Sequence, residues 1–308
     1  MRKNLLILFV IIGVICLIVG ILFLRANIGK KGALVSEVTE ADIAFRQANA
    51  YFSKGRLEEA EHSYKEIIKD FPNSKRAMDS LYMLALLYER KGQLLESRAS
   101  FSEFLLNRPD VPHSSDIRKK IWELNMRILF SPTLTADSLI YEVKFGDTLN
   151  SIARKFNTTA ELIIRANNLT NPNIKTAMKL KIQTSKFSIL IDKSENTLAL
   201  KSNDEIIKLY PIATGSNNST PTGAFKIINK LVNPPWYTEK GIIPPQSPEN
   251  ILGTRWLGLS KSGYGIHGTT EPKTIGSQCT LGCVRMLNQN VEELYSILPV
   301  GTEVTIVD

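Results

Sequence analysis

The sequence contains only three cysteines, Cys16, Cys279 and Cys283, among its 308 residues. So few cysteines exclude a fold that is held together by a framework of disulfides. The apolar content of 43% and the charged content of 22% are ordinary for folded proteins and exclude bulk disorder. A chain of this length exceeds what a single core usually organises, and it therefore predicts several domains.

The sequence also lacks a concentrated basic face, although its formal net charge is +8. Residues 1–32 carry five basic side chains and no acid, and residues 139–185 carry seven basic against three acidic ones. Residues 33–138 (15 basic, 16 acidic) and 186–308 (eleven of each) are almost balanced. Nucleic-acid binding would require clustered cations interleaved with aromatic platforms. We therefore expect no nucleic-acid partner.

Charged residues are absent from residues 5–24, a run of twenty that contains no strongly polar side chain. A helix of that length spans roughly 30 Å, the thickness of a bilayer core. A secretory signal would have a shorter apolar run that ends in small residues, and Cys16 lacks the small residue that precedes a lipoprotein cysteine. We therefore predict that residues 1–32 are an uncleaved membrane anchor. Basic residues flank the span on both sides, so they leave its orientation open.

Residues 41–130 show helical periodicity and an internal repeat with an offset of 37 residues. The segment Lys54-Gly55-Arg56-Leu57 recurs as Lys91-Gly92-Gln93-Leu94. Small, aromatic, aliphatic and proline positions recur after it at the same offset: Ala60 and Ser97, Tyr64 and Phe101, Ile68 and Leu105, Pro72 and Pro109. The pattern resembles tetratricopeptide repeats, which implies stacked helical hairpins with a surface for a protein partner. An ordinary pair of hairpins is the alternative. We predict a further helix at 115–130 and a linker at 131–137.

Residues 139–184 predict a compact module of a strand, two helices and a strand. Asp147 or Thr148 can cap the first helix and Thr158 or Thr159 the second, and apolar residues follow each pair at helical spacing. The motifs Tyr-x-Val, Gly-Asp-Thr-Leu and Asn-x-Leu resemble those of LysM domains, which implies binding to glycans that contain N-acetylglucosamine, chiefly peptidoglycan. One departure is Ala177, in the region where the family usually has glycine. A βααβ module without a ligand is the alternative.

From residue 186 onward, short alternating runs separated by turn residues predict a mainly-β domain that extends to residue 308. Strands at this regular spacing favour a sandwich or a barrel. Two stiff loops, residues 220–223 and 233–237, are suited to shaping a cleft.

This domain contains one histidine, His267, and Cys283 follows it sixteen residues later. An imidazole beside a thiol can activate the sulfur as a nucleophile toward carbonyl groups. We therefore predict a cysteine–histidine catalytic pair. Two structural residues without chemistry are one alternative, and a metal site of His267, Cys279 and Cys283 is another, although it lacks a fourth ligand.

The residues around the pair have plausible supporting roles. Gly282 removes a Cβ near the nucleophile, so that the amides of residues 282 and 283 can donate to an oxyanion. Arg285 can bind a substrate carboxylate or brace the loop. The carbonyl of Gly268 can orient the imidazole.

The segments His-Gly-Thr at 267–269 and Thr-x-Gly-Cys-Val-Arg-Met at 280–286 resemble the signature of the L,D-transpeptidases of the YkuD type. Loops at 221–223, 233–236 and 253–258 match the same family. The resemblance implies that Cys283 is acylated, that His267 is the base and that the Gly268 carbonyl is its third member. Thr280 occupies a position usually held by Ser or Thr, and Leu281 replaces a frequent histidine.

The resemblance further implies 3–3 cross-linking of tetrapeptide stems in peptidoglycan, with no cofactor and no metal. Because peptidoglycan lies outside the cytoplasmic membrane, we expect a single-pass protein with its N-terminus inside and its catalytic domain in the periplasm or cell-wall space. A non-catalytic peptidoglycan-binding scaffold is the competing class. The acyl acceptor stays open among a stem, a D-amino acid, water and a protein lysine. Cys279 is either a small buried residue or the partner of Cys283 in an inactivating disulfide.

Overall fold

The structure, a computed structural model, describes residues 39–308. The predicted anchor at 1–32, with its apolar run at 5–24, lies outside the described residues. None of the helices within the described part of the chain has the length and apolar character needed to cross a bilayer. The described residues divide into two compact units, residues 39–83 and Leu84–Asp308.

The first unit contains paired helices with a tightly packed crossing. Its elements are α1 (Glu40–Ser53), α2 (Leu57–Asp70) and the first part of α3 (Lys75–Arg90). Ala48 and Ala60 are completely buried, and their small side chains let α1 and α2 approach closely. Tyr64 is also fully buried, and its hydroxyl donates to Asn49 Oδ1 at 2.6 Å. Gly55 connects α1 to α2 at φ +74°, a conformation that glycine adopts without strain.

The second unit begins inside α3 and continues through α4 (Leu94–Asn107) and α5 (Ser114–Leu129). Gly92 precedes α4 at φ +74°, the same value as Gly55, and the small Ser97 is fully buried with its hydroxyl on the carbonyl of Ala85. The two predicted repeats therefore have the same turn conformation. The predicted helix at 115–130 is present, displaced by one residue.

The βααβ module consists of β1 (Ser138–Glu142), α6 (Leu149–Lys155), α7 (Ala160–Ala166) and β2 (Lys179–Gln183), with β1 and β2 antiparallel. Of the two candidates for each cap, the structure selects Thr148 and Thr159, and each hydroxyl accepts a backbone amide of the first turn. Ala177 has φ +67°, so an alanine occupies the left-handed conformation that glycine would adopt without a steric penalty.

The rest of the chain forms a mixed eight-stranded sheet in the order β13-β11-β10-β7-β14-β3-β4-β5. The strands of this sheet are β3 (Phe187–Asp192), β4 (Thr197–Ser202), β5 (Glu205–Pro211), β7 (Gly223–Val232), β10 (Arg255–Leu259), β11 (Gly265–His267), β13 (Val284–Arg285) and β14 (Glu303–Val307). Two smaller sheets pair β6 (Thr214–Gly215) with β12 (Gln278–Thr280), and β8 (Trp236–Thr238) with β9 (Gly241–Ile243). Helix α8 (Asn288–Ile297) packs on β10 and β11. The mainly-β prediction is confirmed, but β13 and β5 are edge strands of an open sheet rather than parts of a closed barrel.

Side chains of the βααβ module and of α5 join this sheet in one core. Leu162 of α7 and Leu129 of α5 belong to the same buried apolar cluster as the sheet. Lys181 of β2 is 1% exposed, and its Nζ donates to the carbonyls of Ile128 (2.9 Å) and Ser131 (2.8 Å), at the C-terminal end of α5. Thr159 donates to the carbonyl of Ser296 in α8. The second unit is therefore held together by polar contacts as well as by apolar packing.

Candidate active site

The predicted catalytic residues lie on or directly before two neighbouring strands. Strands β11 and β13 are parallel, and their register places Ile266 opposite Val284 and His267 opposite Arg285. Because side chains alternate along a strand, His267 and Arg285 lie on one face. Cys283 directly precedes β13, so the fold places it at the start of the strand that pairs with the one carrying His267, the only histidine of residues 186–308.

His267 is 2% exposed and is held by a backbone carbonyl. Its Nδ1 lies 2.7 Å from the carbonyl oxygen of Gly268. Since a carbonyl can only accept, this contact favours the tautomer that carries its proton on Nδ1. The backbone of Leu252 also hydrogen-bonds the imidazole and, like Gly268, acts to raise its pKa. Burial lowers the pKa of His267 to about 4, and the nearby Arg285 acts in the same direction. The imidazole is therefore neutral at pH 7.

Asn288, the first residue of α8, fixes the direction of the Gly268 carbonyl. Its Oδ1 accepts the amide of Thr269 at 2.9 Å, and its Nδ2 donates to the carbonyl of Thr269 at 3.0 Å. In a trans peptide the N–H and C=O groups point in opposite directions, so holding the Thr269 amide turns the Gly268 carbonyl toward His267. A Cβ on Gly268 would lie 2.1 Å from Asn288 Oδ1, which makes glycine necessary here.

Cys283 has a protonated thiol in this arrangement. Its Sγ donates to the carbonyl of Gly263 at 3.5 Å. Burial raises the pKa of the Cys283 thiol, and a backbone hydrogen bond from Gly265 only partly opposes this effect. Burial therefore favours the neutral form of both the Cys283 thiol and the His267 imidazole.

The loop before Cys283 is organised by threonine hydroxyls. Thr280 Oγ1 donates to the carbonyl of Cys283 at 2.6 Å and accepts the amide of Gly282 at 3.2 Å. The structure therefore differs from the sequence prediction that the amides of residues 282 and 283 both serve an oxyanion, because the Gly282 amide is already engaged. Gly282 is required for another reason: its φ is +125°, and a Cβ would meet the Tyr264 ring at 2.8 Å.

Arg285 braces the site and is not free to bind a substrate carboxylate. It is 5% exposed, and its Nη1 donates to Glu271 Oε2 at 2.7 Å and to Thr274 Oγ1 at 3.0 Å. Its backbone also exchanges two hydrogen bonds with Ala213. Of the two roles considered for Arg285 from the sequence, these contacts support the bracing one.

A cavity of about 280 Å³ opens onto Cys283 and is lined mainly by apolar and aromatic residues. The loop at 233–237, which the sequence predicted to shape a cleft, contributes Pro234, Pro235, Trp236 and Tyr237. Trp256 lies in the same wall, and its ring stacks on His267 at 6.0 Å between centroids and 18° between planes.

Cys279 lies outside this cavity. It is exposed, and its Sγ is 3.9 Å from the carbonyl of Thr274. The prediction of a small buried residue at this position is therefore wrong. Cys279 and Cys283 are both free thiols. No three His, Cys, Asp or Glu side chains within residues 39–308 form a candidate metal-binding group.

Three functional elements were not singled out from the sequence. Asn288, Thr220 and Trp256 all contact the catalytic segments through long-range hydrogen bonds or ring stacking. Thr220 precedes a proline and Trp256 lies in the loop matched to the family, so both lie in motifs that were noticed but given no role. Asn288 carried no signal beyond its position at the start of a helix.

Comparisons with known proteins agree with this arrangement. The profile of the L,D-transpeptidase catalytic domain matches residues 186–306, that of the LysM domain matches 141–183, and that of the tetratricopeptide repeat matches 42–74 and 79–110. The putative L,D-transpeptidase YkuD of Bacillus subtilis is 39% identical over 175 residues, which cover 54% of this chain and 98% of that protein. The chain therefore belongs to the L,D-transpeptidase family.

Two further relatives are more distant. The putative L,D-transpeptidase YqjB of Bacillus subtilis is 38% identical over 126 residues, covering 39% of this chain and 70% of that protein. Among solved structures, an L,D-transpeptidase from Mycobacterium smegmatis matches with 18% identity and a TM-score of 0.35, covering 43% of this chain and 64% of that one.

Proposed function

We propose that this protein is a membrane-anchored L,D-transpeptidase that cross-links peptidoglycan stems through an acyl-enzyme on Cys283. The observation that carries the proposal is the fixed, neutral His267. Its Nδ1 is hydrogen-bonded to the Gly268 carbonyl on a strand that pairs with the strand directly after Cys283, and burial keeps the imidazole neutral. This is the protonation state that a general base requires before an acyl transfer.

The first half of the reaction forms a thioester. As Cys283 Sγ attacks the carbonyl carbon of the third residue of a tetrapeptide stem, the thiol proton passes to His267 Nε2. Because both groups are neutral at rest, proton transfer accompanies the attack. The carbonyl oxygen becomes an oxyanion that accepts the Cys283 amide. Collapse breaks the bond to the terminal D-alanine, whose amine leaves with the proton from His267.

The second half transfers the acyl group to an amine of a neighbouring stem. That amine attacks the thioester carbon and gives its proton to His267 Nε2. Collapse of the second tetrahedral intermediate breaks the C–S bond, and the proton returns to the sulfur. The products are a 3–3 cross-link and the free Cys283 thiol, so no oxidant or cofactor is consumed.

The LysM module, the repeats and the apolar N-terminal run bring the catalytic domain to its substrate. The LysM module holds glycan strands near the catalytic cavity and so raises the effective concentration of stems. The tetratricopeptide repeats bind a protein partner. The apolar run at 5–24 anchors the protein in the cytoplasmic membrane with the N-terminus inside, which places the catalytic domain where peptidoglycan lies. Membrane fractionation of the full chain and of a chain that starts at residue 33 tests the anchor, and only the full chain is expected to sediment with membranes.

The catalytic proposal is tested with purified tetrapeptide muropeptides. Cys283→Ala is expected to abolish D-alanine release, whereas Cys279→Ala, the matched change of an exposed cysteine four residues away, is expected to retain it. Release by Cys283→Ala at the wild-type rate would refute the assignment. Binding of muropeptides without any D-alanine release by the wild-type chain would favour the non-catalytic scaffold.

A further inference from the structure

Thr220 contacts the peptide bond that immediately precedes the Cys283 side chain. It is 1% exposed, and its Oγ1 donates to the carbonyl of Gly282 at 2.9 Å. The same hydroxyl accepts the amide of Gly215 at 2.7 Å, so its donor and one acceptor site are both used. Its direction is therefore determined by two backbone partners.

The backbone of Thr220 is held as firmly as its side chain. Pro221 follows it and restricts residue 220 to extended conformations. Lys193 is 3% exposed, and its Nζ donates to the carbonyl of Thr220 at 3.0 Å while it pairs with Asp308 at 2.8 Å. A Cβ on Gly215 would lie 2.7 Å from the Thr220 amide and 2.9 Å from Gly282 Cα, so these segments are in close contact.

Because the 282–283 peptide is planar and trans, the hydrogen bond between Thr220 and the Gly282 carbonyl also sets the direction of the Cys283 amide. All peptide bonds of the described residues are trans. The carbonyl of Gly282 and the amide of Cys283 belong to one planar group and point in opposite directions. Holding the Gly282 carbonyl on Thr220 therefore turns the Cys283 amide away from Thr220. That amide makes no hydrogen bond within residues 39–308, whereas the amide of Gly282 is bound to Thr280.

We propose that Thr220 is a positioning residue that orients the Cys283 amide as the oxyanion donor. The inference rests on the proposed function, since an oxyanion forms only if Cys283 attacks a carbonyl. Thr220 touches neither substrate nor sulfur and acts through the 282–283 peptide. A preset donor stabilises the developing charge without reorganisation, and the loss of one such donor typically slows acyl transfer by about 10²–10³-fold.

Two reagents distinguish this role from a merely structural one. A carbapenem acylates Cys283 through a tetrahedral oxyanion, whereas iodoacetamide alkylates the same sulfur by displacement without one. Both are followed in the full chain carrying Cys279→Ala, so that the tryptic peptide 274–285 contains a single cysteine. Thr220→Val is expected to slow acylation by about 10-fold to 100-fold and to leave alkylation within twofold. Thr220→Ser is expected to restore acylation.

The matched control is Thr302→Val. Thr302 is 6% exposed and its hydroxyl also donates to a backbone carbonyl, that of Pro299 at 2.7 Å, but it lies outside the catalytic loops. It is expected to change neither rate. If Thr220→Val unfolds, Thr220→Ala removes the same hydroxyl without placing a methyl group against Gly282.

The outcomes separate the two proposals. Unchanged acylation in the Thr220 variants, or equal loss of acylation and alkylation, overturns the positioning role while the parent chain still shows that Cys283 is acylated. If the parent chain forms no carbapenem adduct on Cys283, the proposed function fails, and the role of Thr220 falls with it.

Discussion

The burial of His267 predicts that acid destabilises the second unit through this one side chain. The pKa of His267 is about 4 in the folded chain, compared with about 6.5 for an exposed histidine. Between these two values the unfolded chain binds more protons than the folded one, so stability falls as the pH falls below about 6.5 and levels off below about 4.

The size of the effect follows from the two pKa values. Linkage gives a loss of about 2 kcal/mol between pH 7 and pH 5, and about 3 kcal/mol by pH 4. Because His267 is only 2% exposed, solvent screening reduces this figure little. A change of this size is a substantial part of the free energy of unfolding of an ordinary domain.

The assay is urea denaturation followed by tryptophan fluorescence. All three tryptophans, Trp122, Trp236 and Trp256, lie in the unit Leu84–Asp308, so the signal reports that unit. His267→Gln removes the titrating group and keeps an amide that can donate to the Gly268 carbonyl. Carboxylates titrate in both chains, so their contribution cancels when the two pH dependences are subtracted. An equal loss of stability in the wild type and in His267→Gln would refute the reasoning.

Three further predictions concern Asn288 beside the candidate site and two residues of the βααβ module, Ala177 and Lys181. Asn288→Ala is expected to lower kcat about tenfold with KM unchanged, because the Gly268 carbonyl is released. 15N NMR of the His267 imidazole in this variant should show mixed tautomers. A single Nδ1–H tautomer would contradict the role of Asn288 in orienting the imidazole through Gly268. Ala177→Gly is expected to stabilise the second unit by about 0.5–1 kcal/mol in urea denaturation, whereas Ala153→Gly, in a helix, should destabilise it by about 1 kcal/mol or more. Lys181→Ala should lower the free energy of unfolding by about 3 kcal/mol, since it leaves two buried carbonyls without a donor and opens a cavity. A decrease below about 1 kcal/mol in urea denaturation would show that the Lys181 contact contributes little.

Local patterns sufficed for the predictions that depend on neighbours in sequence. Gly55 and Gly92 occupy equivalent positions of the two repeats and have the same φ, because a tight turn between helices requires a residue in the left-handed conformation. Each helix cap was narrowed to two adjacent residues from the chain around it, since a cap bonds amides two or three residues away, and the structure selects Thr148 and Thr159. Ala177 departs from the glycine that LysM domains usually have in this region, and its positive φ shows that the position is in the left-handed conformation that glycine adopts without strain.

The candidate site was predictable in its chemistry but not in its arrangement. His267 and Cys283 stood out because a lone histidine followed by a Gly-Cys segment has few other uses. The engagement of the Gly282 amide by Thr280 was not predicted, and the roles of Gly282 and Arg285 changed when their contacts were seen. Each of these outcomes depends on the direction of a hydrogen bond, which spacing alone does not specify.

The sequence by itself determined the order of modules and the repeat, narrowed each helix cap to two residues and predicted Cys283 and His267 as the reacting pair, since these inferences depend on residue type and short spacing. Only the tertiary structure decided that Thr220 and Asn288 orient the peptides next to Cys283 and His267. Thr220 lies 62 residues from Gly282 in the chain. Contacts at that separation depend on how the strands pair. The orientation of a peptide plane is fixed only when the residues that hydrogen-bond to it from other strands and helices have folded against it.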